Sequence, residues 1–143
     1  FHQINTSTSK AAIIYSVLEG VAFGIKDGFK AVEAINKYTD EIYIVGGGSK
    51  SDFWTYLVSS AINKSIIIGE DSNLGPSLGA ARLAMMATKN FVSKDVFKKM
   101  PIRRETNVDE KLSEMLNKRY AIWSEIVSTN LKIAGKLKIN GEQ

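Results

Sequence analysis

The sequence predicts an α/β fold that is rich in helix and contains a short parallel sheet. Helix-type hydrophobic periodicity occupies most of the 143 residues, and two short β-branched runs, at 42–45 and 66–68, are separated by one helix-length segment. Continuous apolar runs of this kind are typical of strands buried on both faces. A strand, a helix and a second strand in this order indicate a right-handed parallel crossover.

Length and composition favour one compact soluble domain. The apolar fraction is 44% and the charged fraction 24%, which are ordinary values. No run of about 18 apolar residues predicts a membrane span, and the polar opening FHQINTSTSK does not match a signal peptide. The sequence begins with Phe1 rather than Met. We therefore expect a piece of a longer, cytoplasmic protein.

Residue usage excludes several chemistries. The chain has no cysteine, which excludes disulfides and thiolate catalysis, and one histidine, His2, which cannot form a histidine metal cluster. The net charge is +4, with many basic side chains after residue 89. Acidic residues are interleaved with them and no nucleic-acid-binding module is recognisable. We expect a solvated helical face and no nucleic-acid partner.

The first helix is predicted at 9–36, with Thr8 or Ser9 as its N-cap. Glycines at 20, 24 and 28 share one face, which predicts close packing on a sheet. Apolar residues at three- and four-residue steps predict its buried stripe: Ile13, Ile14, Val17, Leu18, Val21, Ile25, Phe29 and Val32.

The first strand, at 42–45, leads into three glycines and a second helix that begins near Ser51 or Asp52. Residues 63–64 break this helix, and a second strand at 66–68 ends at Gly69. The predicted buried face of the helix consists of Phe53, Trp54, Leu57, Val58, Ala61 and Ile62.

The remaining elements are predicted to be helices. Pro76 suits the first turn of a slim, alanine-rich helix. A connector at 90–107 contains a short helix near 94–99, and a long helix spans 109–134 before the tail KLKINGEQ frays. The stripe of the long helix is Leu112, Met115, Leu116, Trp123, Ile126 and Val127.

Two strands do not make a self-sufficient sheet with both faces covered. We therefore expect either further strands from chain upstream of this sequence, or a homodimer in which two copies pair. The predicted domain is partial.

The triple glycine was tested against three phosphate-binding patterns. Ser49 separates Gly48 from Lys50, so the P-loop pattern fails. The dinucleotide pattern G-x-G-x-x-G has Ser51 at its third glycine, although Glu70 or Asp71 could serve as the ribose-binding acid. No protein-kinase signature set accompanies the glycines.

Two interpretations of the turn remain open on chemistry alone. It is either a tight strand–helix connection or a nucleotide-binding turn, in which backbone without Cβ atoms and a helix N-terminus meet the ligand. Ser49, Ser51 and Asp52 can cap the helix or contact sugar hydroxyls. Lys50 is either solvated or placed to meet a phosphate.

Three segments, in order along the chain, resemble one known family. They are SVLEGVAFGIKDGF, IYIVGGGSKSDFW and GPSLGAARLA. Together they are similar to the C-terminal domain of the FGGY carbohydrate kinases, and most similar to the xylulose kinase group. Gln3 and Tyr15 depart from the family pattern, where Gly and Arg are usual.

The resemblance implies a ribonuclease H-like (actin-like ATPase) fold and makes residues 1–143 the C-terminal nucleotide-binding domain of a two-domain enzyme. Gly46, Gly47 and Gly48 match the adenosine motif, and Ser51 or Asp52 stands where the family has a polar side chain near the adenosine. The loop at 73–77 would lie near the same cleft.

The implied activity is transfer of the γ-phosphoryl group of ATP to the 5-OH of D-xylulose, with Mg²⁺ arriving on the nucleotide. The general-base aspartate and the sugar contacts would lie on an N-terminal domain upstream, so no catalytic residue is assigned here and the fragment alone is expected to be inactive. The alternatives are an FGGY kinase for gluconate, glycerol or ribulose, a Rossmann-type NAD-binding domain, and a non-catalytic actin-like module.

Overall fold

A computed structural model describes residues 4–35, 41–88 and 90–140. Two short 3₁₀ turns, Gly47–Lys50 and Ser72–Leu74, precede the second and third helices. The helices and strands of these residues are, in chain order, α1 (Lys10–Ile35), α2 (Asp52–Ile62), β1 (Ile66–Gly69), α3 (Pro76–Ala87), α4 (Ser93–Val96), β2 (Ile102–Thr106) and α5 (Glu110–Asn140).

The predicted parallel sheet was wrong, because the two-stranded sheet of the described residues is antiparallel. β1 pairs with β2, with Ile66 opposite Thr106 and Ile68 opposite Arg104. The segment 42–45 forms only an isolated parallel bridge, between Tyr43 and Ile67. Two backbone bonds support it: Ile44 N–H to Ile67 O (3.1 Å) and Ile67 N–H to Ile42 O (2.7 Å).

β2 lies in a segment for which the sequence predicted a connector rather than a strand. Its residues IRRET lack an apolar run, and Ile102, Arg103 and Glu105 are exposed. Strands at a sheet edge are often charged, because charge discourages pairing with other chains. β2 pairs with β1 because the backbone N–H and C=O groups along this edge of β1 need hydrogen-bond partners. The hydrophobicity of β2 does not account for the pairing.

The core lies around α2, which packs against both α1 and α5. Four residues of the predicted α2 face are buried: Leu57, Val58, Ala61 and Ile62. Phe53 is 49% exposed and does not belong to that core. Ile66 and Ile68 of β1 and Leu116 of α5, each at most 1% exposed, complete it.

The predicted buried stripe of α1 was wrong in most positions. Ala22 and Phe23 are buried instead. α1 carries two apolar faces, and periodicity cannot tell which of them the neighbours cover. Among the described residues, α2 and α5 cover the face with Phe23. Five stripe residues are exposed: Ile14, Val17, Val21, Ile25 and Val32.

The glycine face of α1 does not pack on the sheet as predicted. A Cβ added at Gly24 or Gly28 would meet no atom within 4 Å, and one added at Gly20 would lie 3.8 Å from Trp123 Nε1. Gly24 and Gly28 therefore lie on the open side of α1 with the exposed valines and isoleucines, whereas Gly20 faces Trp123 of α5.

A buried lysine joins the three core helices. Lys26 of α1 donates hydrogen bonds to the Ala61 carbonyl (2.6 Å) and to Asn117 Oδ1 (2.5 Å). Desolvation, with a smaller effect of the Lys30 charge, lowers the pKa of the Lys26 ammonium. Ala61 lies in the last turn of α2, where a cation also complements the helix dipole.

The C-terminal half agrees with the prediction in outline. Pro76 occupies the first turn of α3, and α4 matches the short helix expected near 94–99. α5 continues to Asn140, beyond its predicted end at 134, so the predicted fraying of the tail was wrong up to that residue. His2, Gln3 and the last three residues lie outside the described residues. None of the helices described has the length and apolarity required to cross a membrane.

Candidate functional site

The glycine turn is held in a conformation that favours glycine. Gly46 has φ 90° and ψ −175°, a region that side-chain-bearing residues rarely adopt. Its N–H donates to the Ser72 carbonyl at 2.6 Å. Its carbonyl accepts from the N–H of Ser49 (3.1 Å) and from the Ser49 hydroxyl (2.7 Å). These bonds fix the turn from both sides.

A second loop lies directly beside the turn. Ser72 donates from its hydroxyl to the Ser49 hydroxyl at 3.2 Å, and each of the two serines is 3% exposed. Gly75, with φ 54°, approaches so closely that an added Cβ would lie 3.7 Å from the Gly46 Cα. The loop expected at 73–77 is therefore brought next to the triple glycine.

The three glycines have different surroundings. Gly46 is required by its backbone conformation. A Cβ on Gly48 would stand 2.9 Å from Trp54 Cδ1, so Gly48 is required by the indole packed against it. Gly47 is exposed, and a Cβ there would meet nothing within 4 Å. The fold itself gives no reason for glycine at position 47.

The two polar residues predicted near the turn have separate roles in the structure. Ser51 is the N-cap of α2, and its hydroxyl oxygen accepts a hydrogen bond from the Trp54 N–H at 3.2 Å. The Asp52 side chain is 87% exposed, and its Oδ1 lies 2.5 Å from Arg104 Nη1. The Asp52 carboxylate is therefore largely open to solvent while one of its oxygens contacts Arg104. Lys50 is exposed.

Arg104 also belongs to this site, although its sequence position among basic residues predicted a solvated side chain. From β2 it reaches α2, with Nη2 donating to the Ser49 carbonyl (3.1 Å) and to Thr55 Oγ1 (3.4 Å). Thr106, two residues later, bonds to the same Thr55 oxygen at 3.4 Å. The period-2 spacing of Arg104 and Thr106 was the signal that could have revealed the strand.

A separate groove lies between α1 and α5. Its volume is about 670 Å³, and its lining is mainly apolar, with Val17, Trp123 and Ile126 among the residues. The Glu19 carboxylate is buried in this lining, with Oε1 3.2 Å from Arg119 Nε. Burial raises the pKa of Glu19, and the Arg119 charge opposes that effect.

Comparison with known proteins identifies the family. The model of the C-terminal domain of the FGGY family of carbohydrate kinases matches residues 1–88, more than half of the chain. The chain belongs to the FGGY family of carbohydrate kinases. This confirms the resemblance drawn from the LEGVAF, triple-glycine and GPSLGAARLA segments.

Individual relatives of this FGGY chain are consistent with the family match. A xylulose kinase of Escherichia coli is 33% identical over 72 residues, which are 50% of this chain and 15% of the relative. A crystal structure of a xylulose kinase from Brucella ovis aligns with a TM-score of 0.78 and 25% identity, over 93% of this chain and 28% of that one. A gluconate kinase from Lactobacillus acidophilus aligns with a TM-score of 0.76 and 22% identity, over 96% and 28% of the two chains.

These comparisons identify the general fold of the chain. They do not support the predicted parallel topology of the sheet. The structural neighbours are FGGY kinases, whose fold is the actin-like ATPase fold. The NAD-binding alternative is not favoured, because the strand that follows residue 84 has the wrong direction for a Rossmann sheet. β2 runs antiparallel to β1, whereas a Rossmann sheet would be parallel there.

The backbone of the glycine turn is accessible at one position. Backbone at Gly47 is open to close approach, and the N-terminus of α2 offers N–H groups behind it. Within the described ranges, no three His, Cys, Asp or Glu side chains come together as metal ligands.

Proposed function

We propose that residues 1–143 are the C-terminal nucleotide-binding domain of an FGGY kinase, and that the glycine turn binds the adenosine part of ATP. The observation that carries this proposal is the open backbone of Gly47, between the loop at 72–75 and the N-terminus of α2. A structural turn would tolerate side chains at 47, whereas a surface that packs against a nucleoside requires their absence.

The proposal gives each site residue a role. Gly46 sets the direction of the turn, Gly47 contacts the nucleoside, and Gly48 leaves room for Trp54. Asp52 is the better candidate for a polar contact with the nucleoside than Ser51, because the Ser51 oxygen already caps α2. ATP and ADP are the proposed ligands, with Mg²⁺ carried on the phosphates.

The whole enzyme is proposed to transfer the γ-phosphoryl group of ATP to the 5-OH of D-xylulose. In that reaction a bond forms between the sugar oxygen and the γ-phosphorus, the bond to the β-phosphate oxygen breaks, and ADP leaves. The xylulose kinase names of the curated relatives support this substrate. A gluconate kinase is also a structural neighbour, so gluconate is an alternative substrate. Glycerol and ribulose are the other alternative substrates.

The sugar site and the catalytic base are proposed to lie on a further domain. This chain spans 15% to 21% of the curated xylulose kinases from Escherichia coli and Klebsiella pneumoniae. The open face of α1, with Val21 and Val32 half-exposed, supports a larger assembly that covers it. A second copy in a homodimer is the alternative cover, and gel filtration of the chain would reveal it.

Calorimetric titration of the purified chain with Mg-ADP and with NAD tests the binding proposal. We expect saturable binding of ADP and none of NAD, and no phosphorylation of xylulose by the chain alone. Binding of NAD alone would support the dinucleotide alternative, and a folded chain that binds neither would support the non-catalytic module. Detectable turnover would contradict the placement of the base on another domain.

A further inference from the structure

We propose that Arg104 is a positioning residue for the nucleotide, one that orients Asp52 and fixes the glycine turn. This inference rests on the proposed function, because it assumes that the turn receives a nucleoside. It concerns a residue outside the segments 1–88 that match the family model. It also adds β2 to the elements that build the site.

The geometry places one guanidinium against three acceptors. Nη1 lies 2.5 Å from Asp52 Oδ1, while Nη2 donates to the Ser49 carbonyl at 3.1 Å and to Thr55 Oγ1 at 3.4 Å. Ser49 closes the glycine turn, and Asp52 and Thr55 belong to the first turn of α2. Arg104 therefore joins the turn, the helix start and the sheet in one contact.

The charges and acceptors around Arg104 favour an arginine over a lysine at this position. A cation near the N-terminus of a helix is unfavourable with respect to the helix dipole, so the carboxylate and the carbonyl must compensate for it. The planar fork of arginine can meet several acceptors at once, whereas the single ammonium of a lysine cannot hold the same geometry. The Arg104 side chain is 31% exposed and the Asp52 side chain 87% exposed, so solvent screens the ion pair, and the bonds to Ser49 and Thr55 hold the guanidinium in place.

The consequence concerns which part of a nucleotide Asp52 meets. A carboxylate only accepts hydrogen bonds and repels phosphate, so its solvent-facing oxygen suits the ribose hydroxyls. Arg104 binds Oδ1 and thereby fixes the direction of the other oxygen. Loss of Arg104 should therefore reduce discrimination between ADP and an analogue without ribose hydroxyls.

The test is calorimetric titration of the chain with Mg-ADP and with Mg-2′,3′-dideoxy-ADP. For wild type we expect tighter binding of ADP. Arg104→Ala should weaken ADP binding about fivefold, the upper end expected for an ion pair with an exposed partner, while binding of the dideoxy analogue changes little. Arg103→Ala is the matched control, since Arg103 is the exposed neighbour on β2, and it should leave both affinities within about twofold.

Two further variants keep the test decisive. Asp52→Ala, which removes both acceptor oxygens, should lose the same discrimination, and the double variant with Arg104→Ala should lose no more than either single variant. If Arg104→Ala does not fold by circular dichroism, Arg104→Lys replaces it, with an intermediate loss of discrimination expected. An unchanged ADP-to-dideoxy ratio in the Arg104 variant overturns this inference alone. Failure of wild type to bind ADP overturns the proposed function and the inference with it.

Discussion

Replacing Gly46 by alanine should destabilise the chain through the backbone alone. An added Cβ would meet no atom within 4 Å, so no steric contact contributes. The cost comes from φ 90° and ψ −175°, a region in which a side-chain-bearing residue costs roughly 1–3 kcal/mol. The turn cannot relax cheaply, because the N–H and carbonyl of Gly46 are both bonded.

The unfolded state offsets part of this cost. Alanine restricts the unfolded chain more than glycine does, and this effect raises the free energy of unfolding by about 0.4–1 kcal/mol. We therefore expect Gly46→Ala to lower the free energy of unfolding by about 1.3 kcal/mol, which is a mid-range strain of about 2 kcal/mol less a mid-range offset of about 0.7 kcal/mol. Urea denaturation followed by far-ultraviolet circular dichroism measures this difference, and the slope of the transition should stay constant.

The neighbouring glycine provides the control. Gly47→Ala, with open space and no positive φ, should raise the free energy of unfolding by about 0.4–1 kcal/mol, because the same effect on the unfolded chain acts there without backbone strain. Equal stability of the two variants would refute the argument that the Gly46 conformation, rather than glycine content, requires the residue.

Three further predictions concern the rest of the fold. Leu116→Ala, at a position with no exposed surface, should cost about 3 kcal/mol in urea unfolding, and a loss below about 1 kcal/mol would contradict the assigned core. Val21→Ser, on the open face of α1, should cost less than about 1 kcal/mol in the isolated chain, and a core-sized loss would show that something covers this face. Burial raises the pKa of Glu19 above 4.5, so between 4.5 and the raised value the folded state binds more protons and this group's contribution to stability falls as pH rises. Glu19→Gln should therefore gain stability relative to wild type as pH increases from 4.5 through that window, and a pH-independent difference in urea unfolding would contradict the assignment.

The sequence predicted the elements in which local pattern and tertiary contact agree. Leu57, Val58 and Ala61 recur at helix spacing and are buried, and Pro76 starts α3 as expected. The Gly46–Gly48 turn was located correctly, because glycine runs after an apolar strand have few alternatives. What these residues bind remains a prediction.

The sequence failed where a choice depends on distant neighbours. The apolar face of α1 that contains Val17 has the same periodicity as a buried stripe, yet α2 and α5 cover the side with Phe23. β2 lacks the β-branched run that is typical of a buried strand. It forms a strand because it hydrogen-bonds to the edge of β1, which is distant in the sequence. Arg104 was missed for the same reason, since its contact with Asp52 exists only once β2 is placed.

The most direct test of the nucleotide site is a backbone-amide NMR titration of the ¹⁵N-labelled chain with Mg-ADP. We predict saturable shifts of the amides at 46–52 and 72–75, which form the paired loops in front of α2. The same titration of Gly47→Ala should show weaker binding without a change of fold. Shifts confined to the groove between α1 and α5, or no shifts at all in a folded chain, would contradict the assignment of the glycine turn as an adenosine site.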